Sequence, residues 1–283
     1  MRFNLGSYFR VFDEGHNALQ NCYDDAIGNK KPKPGTTTNV TCPHVICDST
    51  PRYLHSSFGG LAAPGNLAPH RIKHLLGNRP KLIMMFRNPT DRLLSDYRYF
   101  ERQKGRANQT SAEDFHLRAV ASERVFRKCV KKYSERQCVY NHNLTALAKH
   151  ERNLNFNNVH VMSRMCIGMY AVFVETWLSV FPRENFHFVM FEEYTKDPNR
   201  YIRTKLIPFL GMRAFDEDGE KYLAELNNQI INRSPDVTKP KKMWKKTRDI
   251  LDKVYKPYNI RLAKLLNDKR FLSWNAVRTA DPK

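Results

Sequence analysis

The segment Lys81–Phe100, KLIMMFRNPTDRLLSDYRYF, constrains the fold of this chain more than any other stretch. Its first six residues form an apolar run of the length of a β-strand. An Arg-Asn-Pro turn follows, in which Pro89 occupies a position where a helix can begin, and Asp91 supplies an acidic first-turn side chain. The segment therefore predicts a strand, a tight turn and a helix over Asp91–Phe100.

This unit places several ligand-binding side chains at one edge of a sheet. Arg87 follows the strand, and Arg92, Ser95 and Tyr99 share one helical face at i, i+3 and i+7. In α/β sheets, ligands bind outside the carboxyl ends of the strands, where helix N-termini offer free N–H groups to anions. A guanidinium and a hydroxyl are both donors that suit phosphate. We therefore expect an anion site for a phosphate group.

Strand-like and helix-like segments alternate along the rest of the chain, which predicts an α/β domain with a parallel sheet. Further strands are expected at His44–Cys47 and Phe186–Phe191. Helices are expected over His70–Leu76, Ser111–Lys131, Gly168–Phe181, Asp197–Leu210, Glu220–Ile231, Met243–Tyr255 and Tyr258–Leu266. Pro257 separates the last two, because proline normally interrupts a helix.

The net charge of +20 over 283 residues indicates an acidic partner, such as nucleic acid, anionic lipid or an anionic polysaccharide. Lysine and arginine cluster in four segments, Lys30–Lys33, Arg98–Arg106, Arg127–Arg136 and Lys239–Lys246. Any one of these clusters is typical of a solvated face. Four clusters with few acidic residues between them favour a polyanion-binding surface.

None of the six cysteines has the spacing of a metal-binding motif, so no metal is expected. Cys129 and Cys138 enclose the short basic segment CVKKYSERQC. This arrangement suits a local disulfide, and two unrelated buried thiols are the alternative. The pairing of the other four cysteines, Cys22, Cys42, Cys47 and Cys166, is not predicted.

Four Asn-X-Ser/Thr sequons favour the secretory pathway, which agrees with a disulfide. They begin at Asn39, Asn108, Asn143 and Asn232. The sequence has neither a signal peptide nor a long apolar segment. Either the chain is cytosolic with unused sequons, or a preceding segment is missing, and the abrupt beginning favours the second interpretation.

Lys33–Thr37, KPGTT, resembles a nucleotide-binding phosphate loop. Such a loop needs an apolar strand before it and a helix after it. A polar segment precedes Lys33, and a sequon and Pro43 follow Thr37. We therefore reject this interpretation, and with it a kinase or P-loop ATPase.

Within the segment Lys81–Phe100, the residues from Arg87 to Tyr97 match the pattern R-[DN]-P-x-x-R-x-x-S-x-Y. This pattern resembles the 3′-phosphate-binding segment of sulfotransferases that use 3′-phosphoadenosine 5′-phosphosulfate (PAPS). Phe115–Tyr140, Gly168–Phe181 and Met243–Leu266 are similar to the C-terminal half of carbohydrate sulfotransferases. The resemblance implies a P-loop-like sulfotransferase fold, with a parallel sheet flanked by helices, as a single domain over residues 1–283.

The resemblance also implies a function. A sulfuryl group would pass from PAPS to a hydroxyl of an anionic glycosaminoglycan, with N-acetylgalactosamine of the chondroitin or dermatan type as the expected sugar. The enzyme would work in the Golgi lumen, and membrane attachment would require an N-terminal anchor that this sequence lacks. No nucleic-acid partner is expected, because no recognition motif is present and the sequons argue against it.

Specific residues receive roles from the same resemblance. Arg87 and Ser95, beside Arg92, would hold the 3′-phosphate of the cofactor. Lys241 and Lys242, in the lysine-rich segment 232–246, would close over the cofactor and the glycan. The segment from Asp48 to Tyr53 would line the acceptor cleft, and Cys129 and Cys138 would match a family disulfide.

The chain also departs from the family pattern. The expected strand with its P-K-x-G-T-T phosphosulfate loop, and the segment with the catalytic glutamate, have no counterpart at the expected places. We therefore expect an N-terminally incomplete domain that lacks its first strand and phosphosulfate loop and has little or no activity alone. Replacement bases are Asp48, Glu192 and His55, each of which also suits a structural role. A non-catalytic protein that binds sulfated glycans is the alternative function.

Overall fold

Two parallel strands lie among helices in the computed structural model, which describes residues 53–55, 67–105, 110–140, 164–228 and 243–276. Strand β1 (Leu82–Phe86) pairs with β2 (Phe186–Met190), and each strand begins and ends opposite its partner. Parallel neighbours need a long crossover connection, and here helices make that connection. The predicted α/β architecture with a parallel sheet is confirmed.

The helices begin and end within three residues of most predicted bounds. Those with both ends in the described residues are, in chain order, α1 (Ala68–Leu76), α2 (Pro89–Gln103), α3 (Ala112–Lys132), α4 (Glu135–Tyr140), α5 (Tyr170–Leu178), α6 (Phe191–Tyr194), α7 (Pro198–Tyr201), α8 (Ile207–Leu210), α9 (Glu217–Asn228) and α10 (Lys245–Leu266). Residues 164–167 are helical as well. Short 3₁₀ segments cover Arg183–Asn185 and Lys269–Asn275.

Two apolar clusters fill the interior, and α5 and α10 contribute to both of them. The first cluster includes Phe173 of α5 and Tyr255 of α10, together with residues from α2 and α3. The second lies against the strands and includes Trp177 of α5 and Leu262 of α10. A helix that is apolar on nearly every side, such as α5, is stable only when it is buried. These two helices therefore hold the helical layer and the sheet together.

The prediction of two helices on either side of Pro257 is wrong, because α10 continues through this proline. Proline removes one backbone hydrogen bond from a helix and crowds the preceding turn. Here Pro257 is exposed, whereas Tyr255 and Tyr258 are buried in the core. The packing of the buried face therefore outweighs the local cost of the proline.

The helix expected over Asp197–Leu210 is divided into α7, a π-helical turn at Ile202–Leu206, and α8. Pro208 has no N–H to donate to the carbonyl four residues before it. The residue before this proline instead donates to the carbonyl five residues earlier, which is the π-helical pattern. The proline thus accounts for the local change of helix type.

Cys129 and Cys138 form a disulfide between the end of α3 and α4, so this predicted pairing is confirmed. Cys166 is a buried free thiol, and burial raises its pKa to about 12. Within the described ranges, no helix is long and apolar enough to span a bilayer. The same ranges contain no group of three or more His, Cys, Asp or Glu side chains that could hold a metal ion.

Several predictions concern residues outside the described ranges and stay predictions. They include the single domain over residues 1–283, the strand at residues 44–47 and the rejected loop at residues 33–37. The predicted site residues in this group are Asp48, Lys241, Lys242 and the sequon asparagines Asn39, Asn108, Asn143 and Asn232.

Candidate functional site

The parallel register brings the carboxyl ends of β1 and β2 to the same edge of the sheet. Phe86 lies opposite Met190, so Arg87 and Phe191 leave the two strands side by side. The guanidinium carbon of Arg87 lies 5.0 Å from the centre of the Phe191 ring. A cation over an aromatic face is attracted by the electron density of the ring. The first residue after the neighbouring strand therefore helps to orient the side chain of Arg87.

Both polar groups of the peptide bond between Arg87 and Asn88 are hydrogen-bonded. The hydroxyl of Tyr170 donates to the Arg87 carbonyl at 3.0 Å. On the other side, the Asn88 N–H donates to Glu192 Oε1 at 2.7 Å. The second carboxylate oxygen of Glu192 accepts from Trp274 Nε1 at 3.3 Å. We call Tyr170 and Glu192, which hold this peptide from α5 and from the end of β2, the peptide clamp.

Burial raises the pKa of the Tyr170 hydroxyl above its ordinary value, which is itself well above neutral pH, and the hydroxyl is therefore a donor. Tyr255, which donates to the carbonyl of Met165 at 2.9 Å, is also buried, and burial raises its pKa too. Gly168 lets its segment pack closely against α10 and α2, because a Cβ here would lie 2.8 Å from the Tyr255 ring and 2.9 Å from Pro89. Close packing around Gly168 thus supports the turn that contains Pro89.

The N-terminus of α2 does not offer the free N–H groups that the sequence led us to expect. Asn88 caps the helix, and its Oδ1 accepts from the N–H groups of Thr90 and Asp91 at 3.0 and 3.1 Å. The side chains of the same two residues bind α10: Thr90 donates to Asp252 at 2.6 Å, and Asp91 pairs with Arg248 at 2.9 Å. An anion at this site must therefore rely on side-chain donors.

Arg87 and Ser95 are the predicted phosphate ligands that the structure describes. Arg87 is half-buried at the strand end, whereas Ser95 is exposed on α2, about 9 Å along the helix axis from Pro89. Tyr99, one turn further on, is exposed as well. Of the three residues predicted to share one face of α2, Ser95 and Tyr99 are exposed and Arg92 is partly buried.

Arg92 faces a different environment from Ser95. Its guanidinium pairs with Asp96 and donates to the carbonyl of Arg164 at 2.6 Å. Arg164 also binds Asp96, at 2.9 Å. Arg92 therefore connects α2 to the segment before α5, and its predicted role in cofactor binding stays a prediction.

Tyr97, the last residue of the sequence pattern, connects α2 to the start of α3. Its hydroxyl donates to Asp114 at 2.6 Å and accepts from the Ser111 N–H at 3.3 Å. Ser111 in turn caps α3, because its side chain accepts from the Asp114 N–H at 2.9 Å. Burial and the hydrogen bond to Asp114 raise the pKa of Tyr97. The tyrosine thus has a structural function.

The three residues proposed as replacement bases differ in what the structure shows of them. Glu192 belongs to the peptide clamp, and the ring of His55 packs edge-on against Phe173, with 6.4 Å between the centroids. Asp48 lies outside the described residues. Sequence reasoning missed Tyr170 and Trp274, and the only available signal was a polar aromatic group within an apolar segment, which usually finds a partner when buried.

The chain matches one protein family and several known proteins. The family described as "Sulfotransferase domain" matches residues 62–258. Carbohydrate sulfotransferase 15 of Mus musculus is 33% identical over 204 residues, which cover 72% of this chain and 33% of that protein. Carbohydrate sulfotransferase 15 of Homo sapiens is 32% identical over 204 residues, which again cover 72% of this chain and 33% of that protein. The protein of that name from Nototodarus sloanii is 32% identical over 168 residues, 59% of this chain and 96% of that one.

The aligned part of this chain spans about a third of the length of the mammalian relatives. The crystal structure of a sulfotransferase from Alicyclobacillus acidocaldarius matches with a TM-score of 0.45 and 21% identity, over 80% of this chain and 65% of that one. The family match covers well over half of the chain, and the relative from Nototodarus sloanii is matched along nearly its whole length. The chain therefore belongs to the sulfotransferase family.

Proposed function

We propose that this protein transfers a sulfuryl group from PAPS to a hydroxyl of an anionic glycosaminoglycan, with N-acetylgalactosamine of the chondroitin or dermatan type as the acceptor sugar. The observation that carries the proposal is the placement of Arg87 and Ser95. The first lies at the carboxyl end of β1 and the second on the exposed face of the helix that follows. Family membership and the relatives named carbohydrate sulfotransferase 15 support the same reaction class.

The reaction needs an in-line attack by the sugar hydroxyl on the sulfur of PAPS. A new S–O bond forms to the sugar oxygen, while the bond from sulfur to the phosphate oxygen breaks. The hydroxyl proton passes to a base, and adenosine 3′,5′-bisphosphate leaves as an anion. Cationic and hydrogen-bonding groups lower the barrier by stabilising this charge. Arg87 and Ser95 would contribute by holding the 3′-phosphate, and thus by orienting the donor.

The charge of the chain supports an anionic acceptor. The net charge is +20, and the exposed face of α3 contributes Arg124, Arg127, Lys128 and Lys131. Their spacing places all four within one sector of the helix, over about 10 Å of its axis. Such a row suits the regularly spaced sulfates and carboxylates of a glycosaminoglycan. A Golgi location, inferred from the sequons and the disulfide, belongs to the same proposal.

Binding of adenosine 3′,5′-bisphosphate, measured by titration calorimetry, tests the site. Arg87→Ala should weaken binding about 10- to 100-fold, the usual range for losing a hydrogen bond to a charged group. Ser95→Ala should weaken it about threefold to tenfold. Arg183→Ala is the matched control, because this arginine lies over Phe188 near the opposite end of β2. Normal binding by both site variants would show that the anion site is misplaced.

Turnover tests the rest of the proposal. The protein is incubated with PAPS and desulfated or 4-sulfated chondroitin, and sulfate incorporation is measured. Incorporation that depends on Arg87 supports sulfuryl transfer to this class of glycan, and it would contradict the expectation that this chain alone has little or no activity. Incorporation only into a neutral sugar acceptor would contradict the anionic-glycan assignment.

A further inference from the structure

Glu192 follows a buried strand and lies near the cofactor edge, where a carboxylate could serve either as a base or as a structural partner. Each of its two oxygens accepts a hydrogen bond, one from the Asn88 N–H at 2.7 Å and the other from Trp274 Nε1 at 3.3 Å. The first bond joins residues 104 positions apart and closes the gap between the ends of β1 and β2. A carboxylate that already accepts two hydrogen bonds is poorly placed to take a proton from a sugar.

We propose that Glu192 is a positioning residue, which together with Tyr170 sets the direction of the Arg87 side chain toward the 3′-phosphate. The proposal rests on the function given above. Holding the peptide between Arg87 and Asn88 at its carbonyl and at its N–H fixes the rotation of the peptide plane, and thereby the direction in which the Arg87 side chain leaves the backbone.

The surroundings of Arg87 explain why the direction of its side chain matters. The α2 N–H groups that could have held a phosphate are used by the Asn88 cap, so the side chain of Arg87 carries the charge recognition. Phe191, next to Glu192 in sequence, lies 5.0 Å from the guanidinium. Two residues that follow β2 thus orient Arg87: Glu192 holds the peptide after it, and Phe191 contacts its side chain.

Two nucleotides that differ only in the 3′-phosphate give the decisive measurement. The preference for adenosine 3′,5′-bisphosphate over adenosine 5′-phosphate isolates the contribution of that group. Glu192→Ala should reduce this preference about tenfold, because it removes a charge-assisted bond to the turn. Glu192→Gln should keep the preference within about threefold of wild type, because the amide oxygen can still accept from Asn88. General loss of structure would weaken both nucleotides alike.

Matched variants complete the experiment. Glu193→Gln is the control for Glu192, because Glu193 pairs with Arg270 and not with the turn. Tyr170→Phe should lower the preference in the same direction as Glu192→Ala, whereas Tyr140→Phe removes a buried hydroxyl that bonds to Thr176 and should leave it unchanged.

The outcomes separate the two proposals. A wild-type protein with no preference for the 3′-phosphate contradicts the proposed nucleotide site itself. A wild-type preference that Glu192→Ala and Tyr170→Phe both retain contradicts only the positioning role. Equal loss of preference in the Gln and Ala variants would also overturn it, because the amide preserves the acceptor on which the proposal depends.

Discussion

The carboxylate of Asp91 lies 2.9 Å from Arg248 Nη2, and this ion pair joins the first turns of α2 and α10 across 157 residues. Both side chains are largely shielded from solvent, with 17% and 14% of their surface exposed. Arg248→Met should lower the free energy of unfolding by about 1–3 kcal/mol, because it removes a cation that pairs with a shielded carboxylate. Denaturant unfolding measures this change.

A second ion pair on the same helix serves as the control. Lys245 and Asp249 also pair at 2.8 Å, but their side chains are mostly exposed. Asp249→Asn should therefore change the free energy of unfolding by less than about 0.5 kcal/mol. In the double variant Arg248→Met/Asp91→Asn, the two effects on the free energy of unfolding should be less than additive, because these residues form the coupled pair. Full additivity would contradict the coupling.

Loss of the Cys129–Cys138 disulfide should lower the free energy of unfolding by about 2–3 kcal/mol, the value expected for a closed loop of this short length. The double variant Cys129→Ala/Cys138→Ala tests this expectation in thermal melts with and without reductant. Reduction should destabilise the wild type by more than the variant. An equal response of both proteins would show that this bond is not the stabilising one.

Pro257→Ala should raise the free energy of unfolding by about 1 kcal/mol. The alanine restores one backbone donor inside α10 and relieves crowding in the preceding turn. Lys256→Ala, at the exposed neighbouring position, is the control and should have little effect. Destabilisation by Pro257→Ala would mean that the shape imposed by the proline contributes to packing.

The thiol of Cys166 should resist alkylation in the native protein. Burial raises its pKa to about 12, so at pH 8 roughly one thiol in ten thousand is ionised, and the thiolate is the reactive form. Iodoacetamide treatment followed by peptide mass spectrometry should find this residue unmodified until denaturant is added. Rapid labelling of Cys166 in the native state would contradict its burial.

The cationic face of α3 should strengthen binding to heparin. Lys128→Gln/Lys131→Gln removes two exposed cations from that face, and should lower the salt concentration at which the protein elutes from a heparin column. The control Arg213→Gln/Lys221→Gln removes two exposed cations that pair with Asp216 and Asp218. Equal shifts for both variants would indicate attraction by net charge alone.

Much of the architecture followed from local patterns. The strand before Arg87 and the helix after it depend on near neighbours in sequence, and they lie close to where they were expected. The disulfide was also suggested by a short segment. The predicted helix break at Pro257 was wrong because the local preference of proline opposes the packing of Tyr255. That packing involves residues far away in sequence.

The sequence by itself determined the strand–turn–helix unit and the placement of Arg87 and Ser95 on it, because residue spacing sets which side chains share an edge or a face. Only the tertiary structure decided how that turn is held. Glu192 reaches it through strand pairing and Tyr170 through the packing of α5. Hydrogen bonds between residues about a hundred positions apart depend on the folded arrangement of strands and helices, and residue spacing along the chain carries no record of them.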